Sequence, residues 1–368
     1  MKLIRDHWSL IAIASLTLLG LILRLYHLDW QCLTIDEKVT YQVASRTTMD
    51  LIKWALGGDY NPPTYYILAH WSSILFGGVS NFAIRFPAMI LGTLTIPIAY
   101  LVGKEYHDNI TGILVATIIC FSYPTILYAQ NARPYSLVFL TFLCFTFFFI
   151  RMYKGDIRNR NVLFLCVFAA ACLWSHFYSL MPLVISGVIL GLKYRQLIWK
   201  GIFLVVLFCL PFIPYFDVVK NQFRVFAIAK AAHYPPGASW VDPHIIAVMT
   251  PNELFCWAWI IFIPIITYSL WKYRDPLNRD LTIIATITCL SMIPMAYITA
   301  MLPRYALLVL PMYLCIAAYP VSKWIEPMKP TQKGIIVLLI LFVIFLMNYG
   351  SLLQLYTLNL CEFYHMLL

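Results

Sequence analysis

Apolar runs of roughly 18 residues or more recur along this chain from one end to the other, with short polar segments between them. A helix of that length crosses a hydrocarbon layer of about 30 Å and pairs its own backbone groups there. The pattern therefore predicts an all-α polytopic membrane protein with about eleven transmembrane helices. The predicted spans are 8–26, 82–102, 110–128, 136–152, 162–178, 181–192, 198–215, 252–271, 281–299, 305–321 and 334–355.

Composition supports a membrane protein and excludes a soluble globular domain. Hydrophobic residues make up 62% of the chain, charged residues make up 11%, and the mean hydropathy is +0.79. The net charge of +10 follows the predicted topology, because the basic clusters fall on one side of the membrane together with the N-terminus. The positive-inside rule makes that side cytoplasmic, so the charge encodes orientation and indicates no nucleic-acid partner. These clusters are Lys104, Arg151–Arg160, Lys193–Lys200, Lys272–Arg279 and Lys323–Lys333.

Two long segments are predicted on the outer, extracytoplasmic or lumenal side. The first is 27–81, and it contains an apolar stretch, Pro62–Gly77, that is too short for a span and would invert every later loop if it crossed. We predict a juxtamembrane or re-entrant helix there, and a second amphipathic helix over Thr40–Leu56. The other long outer segment is 216–251.

An adjacent acidic pair, Asp36 and Glu37, follows the first predicted span on the outer side. A carboxylate beside a membrane surface can take a proton from an attacking hydroxyl, or it can hold a divalent cation. An isolated acidic pair is also typical of a solvated loop. The residues themselves leave both readings open.

Arginines at the outer ends of predicted spans form a second group of candidates. Arg133 separates two spans, Arg304 precedes Tyr305 at the start of a later one, and Arg85 lies at the same level. A guanidinium fork matches phosphate oxygens, but an arginine at a span end also extends to the interface without any ligand. His176, near the outer end of its span, is either a packing residue or a catalyst.

The order of short motifs along the chain is more specific than any one of them. This order resembles that of the GT-C superfamily of polyprenyl-phosphate-sugar glycosyltransferases, in the branch of protein O-mannosyltransferases and lipid A aminoarabinose transferases. The resemblance covers about 1–320 and is strongest over 26–152. The motifs are Asp36-Glu37, Asn61-Pro-Pro-Thr-Tyr-Tyr with Leu75-Phe-Gly, Arg85-Phe-Pro-Ala with Gly92, Tyr128 through Arg133-Pro-Tyr-Ser, His176-Phe-Tyr, and Arg304-Tyr-Ala-Leu-Leu-Val-Leu-Pro311.

The resemblance implies a GT-C-like transmembrane catalytic module over 1–320, followed over 321–368 by a cytoplasmic loop, a last span and a short outer tail. It implies Asp36 as the general base, with Glu37 in support. Asn61 stands where the family often has His or Lys, and an asparagine supplies no positive charge at that position. The substrate-binding residues implied are Asn61, Tyr65, Arg85, Arg133, Tyr135, His176, Tyr178, Arg304 and Tyr305. Some relatives use a divalent metal ion and others do not, so a metal remains possible with no ligand set assigned.

The activity that the resemblance implies is transfer of a sugar from a polyprenyl or dolichyl phosphate to a hydroxyl on a lipid, glycan or protein acceptor. A single displacement on the outer face would invert the anomeric carbon. No glycine loop that cradles phosphates is present, so no nucleotide site is expected. A transporter or flippase of a lipid-linked substrate is the main alternative, although we find no convincing internal repeat. A non-catalytic assembly subunit is a third.

Overall fold

The structure, a computed structural model, describes residues 2–56, 61–210, 256–298 and 307–357, and every regular element within these ranges is helical. An all-α architecture is thereby confirmed. The predicted outer segment 216–251 and the pair Arg304-Tyr305 lie outside the described residues. The helices are α1 Lys2–Leu25, α2 Ile35–Ala44, α3 Thr48–Leu56, α4 Thr64–Leu75, α5 Asn81–Tyr106, α6 Asn109–Phe121, α7 Tyr123–Ala129, α8 Tyr135–Tyr153, α9 Asn159–Ser175, α10 Leu180–Lys193, α11 Ile198–Cys209, α12 Cys256–Tyr273, α13 Pro276–Ile298, α14 Leu310–Ile325 and α15 Pro330–Thr357.

Four helices of the described ranges are long and apolar enough to cross a membrane, which supports an integral membrane protein. They are Trp8–Leu25, Asn81–Tyr106, Tyr135–Tyr153 and Leu307–Ile325. A fifth span results if α6 and α7, bent by 60° at Ser122, are taken together. The expected count of about eleven is not reached by helices of full spanning length. Shorter apolar helices account for other predicted spans, namely Asn159–Ser175, Phe177–Lys193 and Gln332–Leu346.

The first predicted outer segment folds into three short helices. α4 confirms the helix expected within Pro62–Gly77, and its 12 residues are too few to span a bilayer. The single helix predicted over Thr40–Leu56 is wrong, because the chain forms α2 and α3 with a break between them. Ser45 ends α2, and its backbone N–H donates to the carbonyls of Tyr41 and Val43.

Successive helices of the bundle run in alternating directions. Lys154, after the C-terminus of α8, donates to the carbonyls of Glu105 and Tyr106 at the C-terminus of α5. At the opposite end, the indole of Trp174 in α9 donates to the carbonyl of Phe208 in α11. The basic clusters at Lys104, Arg151–Arg160 and Lys193–Lys200 therefore share one end of the bundle. The segments that carry Asp36, Arg85 and Arg133 share the other end.

Glycines allow α5 and α6 to pack backbone against backbone, as small residues do between transmembrane helices. A Cβ atom on Gly103 would lie 2.8 Å from the Cα of Gly112 and 3.0 Å from its nitrogen. A Cβ on Gly112 would lie 2.6 Å from the carbonyl oxygen of Tyr100. Any side chain at these two positions would push the helices apart.

Gly103→Ala should therefore destabilise the protein, by about 1–3 kcal/mol as overpacked cores do. Gly187 in α10 is the matched control, because a Cβ there meets no atom within 4 Å. Gly187→Ala should leave the melting temperature unchanged or raise it, since alanine is favoured over glycine in a helix interior by about 0.5–1 kcal/mol. Thermal unfolding of both variants in detergent micelles makes the comparison. Equal melting temperatures would show that α5 and α6 do not pack this closely.

Candidate active site

The local sequence at the start of α2 orients the acidic pair. Thr34 is the N-cap, and its hydroxyl accepts the backbone N–H of Glu37 at 3.3 Å. The carboxylate of Glu37 in turn accepts the backbone N–H of Thr34 at 3.0 Å. This reciprocal capping box satisfies two backbone donors at the helix start and fixes the direction of the Glu37 side chain.

Glu37 forms a buried ion pair with Arg85, which lies in the second turn of α5. Arg85 Nε lies 2.7 Å from Glu37 Oε1, and Arg85 Nη2 lies 2.9 Å from Glu37 Oε2. The two side chains are 1% and 2% exposed, so both charges are removed from solvent. A bidentate geometry of this kind is the strongest form of the arginine–carboxylate contact.

The remaining donors of Arg85 hold the chain that enters α2. Its Nη1 donates to the carbonyls of Leu28 and Gln31 at 3.0 and 2.8 Å, and its Nη2 donates to that of Cys32 at 3.0 Å. All five N–H groups of the guanidinium are therefore used within the protein. This geometry favours a positioning role for Arg85 over the ligand role expected from the sequence.

The Glu37 carboxylate also reaches the segment between α7 and α8. Its Oε1 accepts the backbone N–H of Ala132 at 2.8 Å, while the hydroxyl of Thr40 donates to the carbonyl of Ala132 at 2.9 Å. With Arg85 and Thr34 as its other donors, this carboxylate has little accepting capacity left for a reacting proton. These contacts favour a supporting position for Glu37 over proton transfer, and its role in catalysis stays a prediction.

Arg133, the next residue, lies against the acidic pair. Its Nη1 donates to the backbone carbonyl of Asp36 at 3.3 Å and to the hydroxyl of Tyr66 at 3.1 Å. Asp36 is half-buried, whereas Glu37 is fully buried. Asp36 is thus the more exposed residue of the acidic pair, and the Arg133 guanidinium contacts its backbone.

The helix α4 closes this cluster from one side. Tyr65 is 1% exposed, and its hydroxyl donates to the carbonyl of Ile84 at 2.8 Å. Burial raises the pKa of Tyr65, and the negative charge of Glu37 adds to that effect. The phenol therefore stays protonated and serves packing. Asn61, just before α4, is buried as well.

An aromatic row continues the site from α7 and α8 to the end of α9. Ring centroids are 5.0 Å apart for Tyr128 and Tyr135, 6.1 Å for Tyr135 and His176, and 5.3 Å for His176 and Tyr178. His176 Nδ1 accepts the backbone N–H of Tyr178 at 3.3 Å, so a neutral imidazole carries its proton on Nε2. The hydroxyl of Thr64 donates to the Trp174 carbonyl at 2.7 Å and connects α4 to this row.

The structure thus brings Asp36, Glu37, Arg85 and Arg133 together, and it places Tyr135, His176 and Tyr178 in one neighbouring row. Two participants were missed from the sequence. Tyr66 lies within the motif that begins at Asn61 but was not singled out, and Ala132 contributes its backbone N–H, which no side-chain pattern reveals. Within the described ranges, no three His, Cys, Asp or Glu side chains are grouped so that they could hold a metal ion.

This chain is similar in fold to two solved membrane proteins. ArnT from Cupriavidus metallidurans in the apo state matches with a TM-score of 0.61 and 15% identity, over 90% of this chain and 62% of ArnT. ArnT bound to undecaprenyl phosphate matches with a TM-score of 0.59 and 14% identity, over 89% of this chain and 62% of ArnT. The oligosaccharyltransferase AglB from Archaeoglobus fulgidus, in complex with an inhibitory peptide and a dolichol-phosphate, also matches. Its TM-score is 0.57 and its identity is 14%, over 95% of this chain and 56% of AglB.

ArnT and AglB are both GT-C proteins, so the fold of this chain is that of the GT-C superfamily. The chain spans about three-fifths of the length of these structures, 62% for ArnT and 56% for AglB. No protein-family model matches the sequence. No curated protein matches it either. The similarity therefore establishes the fold, and an activity has to be argued from the site.

Glu37→Gln should lower the free energy of unfolding by about 3–5 kcal/mol, because it leaves the buried Arg85 charge without its counter-ion. Glu326→Gln is the matched control, since Glu326 pairs with Lys323 at 3.0 Å on an exposed surface. That change should leave unfolding unaltered within error. Denaturant unfolding of the two variants and the wild type measures these free energies. If Glu37→Gln were as stable as the control, Glu37 and Arg85 would not form the frame of the site.

Proposed function

We propose that this chain, which has the GT-C fold, is a membrane glycosyltransferase that moves a sugar from a polyprenyl or dolichyl phosphate to an acceptor hydroxyl. One observation carries the proposal. The half-buried Asp36 and the guanidinium of Arg133 are in contact through the Asp36 backbone carbonyl, and the residue next to each takes part in the buried cluster of Glu37 and Arg85. A base for the incoming hydroxyl and a cation for the leaving phosphate are the two groups that this reaction needs.

The reaction would proceed as a single displacement. The acceptor oxygen forms a bond to the anomeric carbon while the bond from that carbon to the phosphate oxygen breaks, so the configuration inverts. Asp36 takes the hydroxyl proton, and the polyprenyl phosphate leaves with the bonding electron pair. Arg133 stabilises the negative charge that collects on the phosphate, with Arg304 expected to assist. A phosphate leaving group needs no proton, so no second acid is required.

The donor class follows from the surroundings of the site. The cluster lies where apolar helices end, so a polyprenyl tail can stay in the bilayer while its phosphate reaches Arg133. ArnT bound to undecaprenyl phosphate and AglB in complex with dolichol-phosphate share this fold and support the same donor chemistry. The acceptor can be a lipid, a glycan or a protein.

The sidedness of the reaction follows from charge and from redox chemistry. The basic clusters at Lys104, Arg151–Arg160 and Lys193–Lys200 occupy the end of the bundle opposite to Asp36, and the positive-inside rule supports an extracytoplasmic position for Asp36 and a cytoplasmic N-terminus. Cys32, four residues before Asp36, is disulfide-bonded. Disulfides persist in the periplasm, the cell exterior and the endoplasmic reticulum lumen, so this observation supports the same orientation.

Asp36→Asn should reduce transfer by about 10²- to 10⁴-fold, the usual contribution of a general base. The protein should remain folded, because asparagine preserves the size of this half-buried side chain and leaves in place the backbone carbonyl that accepts from Arg133. The measurement is transfer of radiolabelled sugar from polyprenyl phosphate by purified protein in liposomes. Asp50→Asn is the matched control, since Asp50 is an exposed carboxylate at the same end of the bundle and should be replaceable.

Two results would contradict this assignment. Full activity of a well-folded Asp36→Asn protein would exclude Asp36 as the base. Movement of labelled lipid across the bilayer without transfer from any donor would replace the transferase with the flippase.

Arg133→Ala should weaken binding of polyprenyl phosphate by about tenfold or more, the effect of losing a charged hydrogen bond. Arg304→Ala should act in the same direction. Arg46→Ala is the control, because Arg46 is exposed at the same end and its guanidinium lies over the ring of Trp54 as a cation–π contact. Binding of radiolabelled undecaprenyl phosphate to each variant in micelles gives the affinities. Wild-type affinity in Arg133→Ala would remove Arg133 from the phosphate site.

A further inference from the structure

The helix α6–α7 is broken at a point where the freed carbonyls are buried. Pro124, in the first turn of α7, has no N–H to donate to the carbonyl of Cys120 four residues earlier. Ser122 is extended, and the two halves meet at 60°. A backbone break among apolar helices persists only where other groups satisfy the exposed carbonyls. The question is which groups do so here.

The side chain of Arg24, in the last turn of α1, fills the break. Arg24 is 0% exposed. Its Nη1 donates to the carbonyl of Cys120 at 3.3 Å, and its Nη2 donates to that of Ile119 at 2.9 Å and to the hydroxyl of Thr125 at 3.2 Å. A cation at a helix C-terminus also complements the negative end of the helix dipole. Arg24 therefore serves as the cap of α6.

Gln130, at the C-terminus of α7, in turn caps the C-terminus of α1. Its Nε2 donates to the carbonyls of Arg24 at 3.1 Å and Tyr26 at 2.8 Å, and the carbonyl of Leu23 lies 3.4 Å away. The last carbonyls of a helix have no partner within the helix, so these contacts cap α1. The ends of α1 and of the broken helix thus cap one another.

Gln130 also begins the segment that completes the candidate active site. Ala132, two residues later, donates its N–H to Glu37, and Arg133 follows it. The segment is held on one side by Glu37 and Thr40 of α2. On the other side, its anchor is the contact of Gln130 with α1.

We propose that Arg24 and Gln130 form an interlock whose role is to position the Ala132 N–H against Glu37 and the Arg133 guanidinium against Asp36. The two are positioning residues, since neither contacts the reacting groups. This inference rests on the proposed transferase function for its catalytic consequence only. The interlock itself is a structural claim about residues 130–134 and can be tested without any activity.

The test uses Gln130→Ala in the full chain, with Gln42→Ala as the matched control. Gln42 is an exposed glutamine of α2 at the same end of the bundle, outside the contacts described above. Hydrogen exchange with mass spectrometry reads the peptide that contains Ala132. We expect its exchange to become about tenfold faster in Gln130→Ala, with peptides of α5 and α8 unchanged. The control should exchange like the wild type.

Transfer kinetics then separate positioning from general stability. The kcat of Gln130→Ala should fall about tenfold, with the acceptor KM changed by less than about twofold. Unchanged exchange at Ala132 would overturn the interlock, and equally fast exchange in α5 would reduce Gln130 to a stability residue. If exchange in Gln130→Ala became faster only in the peptide that contains Ala132 while kcat stayed at the wild-type value, the positioning role would be overturned. If wild-type protein transferred no sugar, the proposed function would fail, while the exchange result would still decide the interlock.

Discussion

The candidate site depends on the ion pair between Glu37 and Arg85, which is buried where helix ends meet. Removing two charges from water costs several kcal/mol for each ion, and the attraction between them offsets this only when the remaining lone pairs and protons are also bonded. That condition is met, because Arg85 uses all five donors and Glu37 accepts from Arg85, Thr34 and Ala132. The pair therefore joins α2, α5 and the segment before α8.

This constraint gives two adjacent carboxylates different environments. The side chain of Glu37 is buried and accepts from Arg85, Thr34 and Ala132, whereas Asp36 is half-buried and its backbone carbonyl accepts from Arg133. Neighbouring residues on a helix start point in different directions, so fixing one of them determines where the other is displayed. The chemistry proposed for Asp36 is in this sense a consequence of the position of Glu37.

A second constraint comes from the apolar surroundings. Backbone groups released where helices break or end need partners, because no water competes for them among packed spans. Here polar side chains supply the partners at two points: Arg24 at the break after α6 and Gln130 at the end of α1. Buried charge in such a bundle is thus not by itself a sign of catalysis.

The sequence alone indicated the membrane class, the helical fold and a resemblance to the GT-C proteins, whose fold the structure shares. These follow from the length of the apolar runs and from the order of short motifs, which are local along the chain. It also singled out Asp36, Arg133 and His176. It did not distinguish Arg85 as a positioning residue from Arg133 as a candidate ligand, because both are arginines near span ends. Only the tertiary structure showed that Arg85 uses all five donors within the protein, and it also revealed the break at Ser122 and the backbone contact of Ala132, since hydrogen-bond partners 48 or 95 residues apart are set by packing.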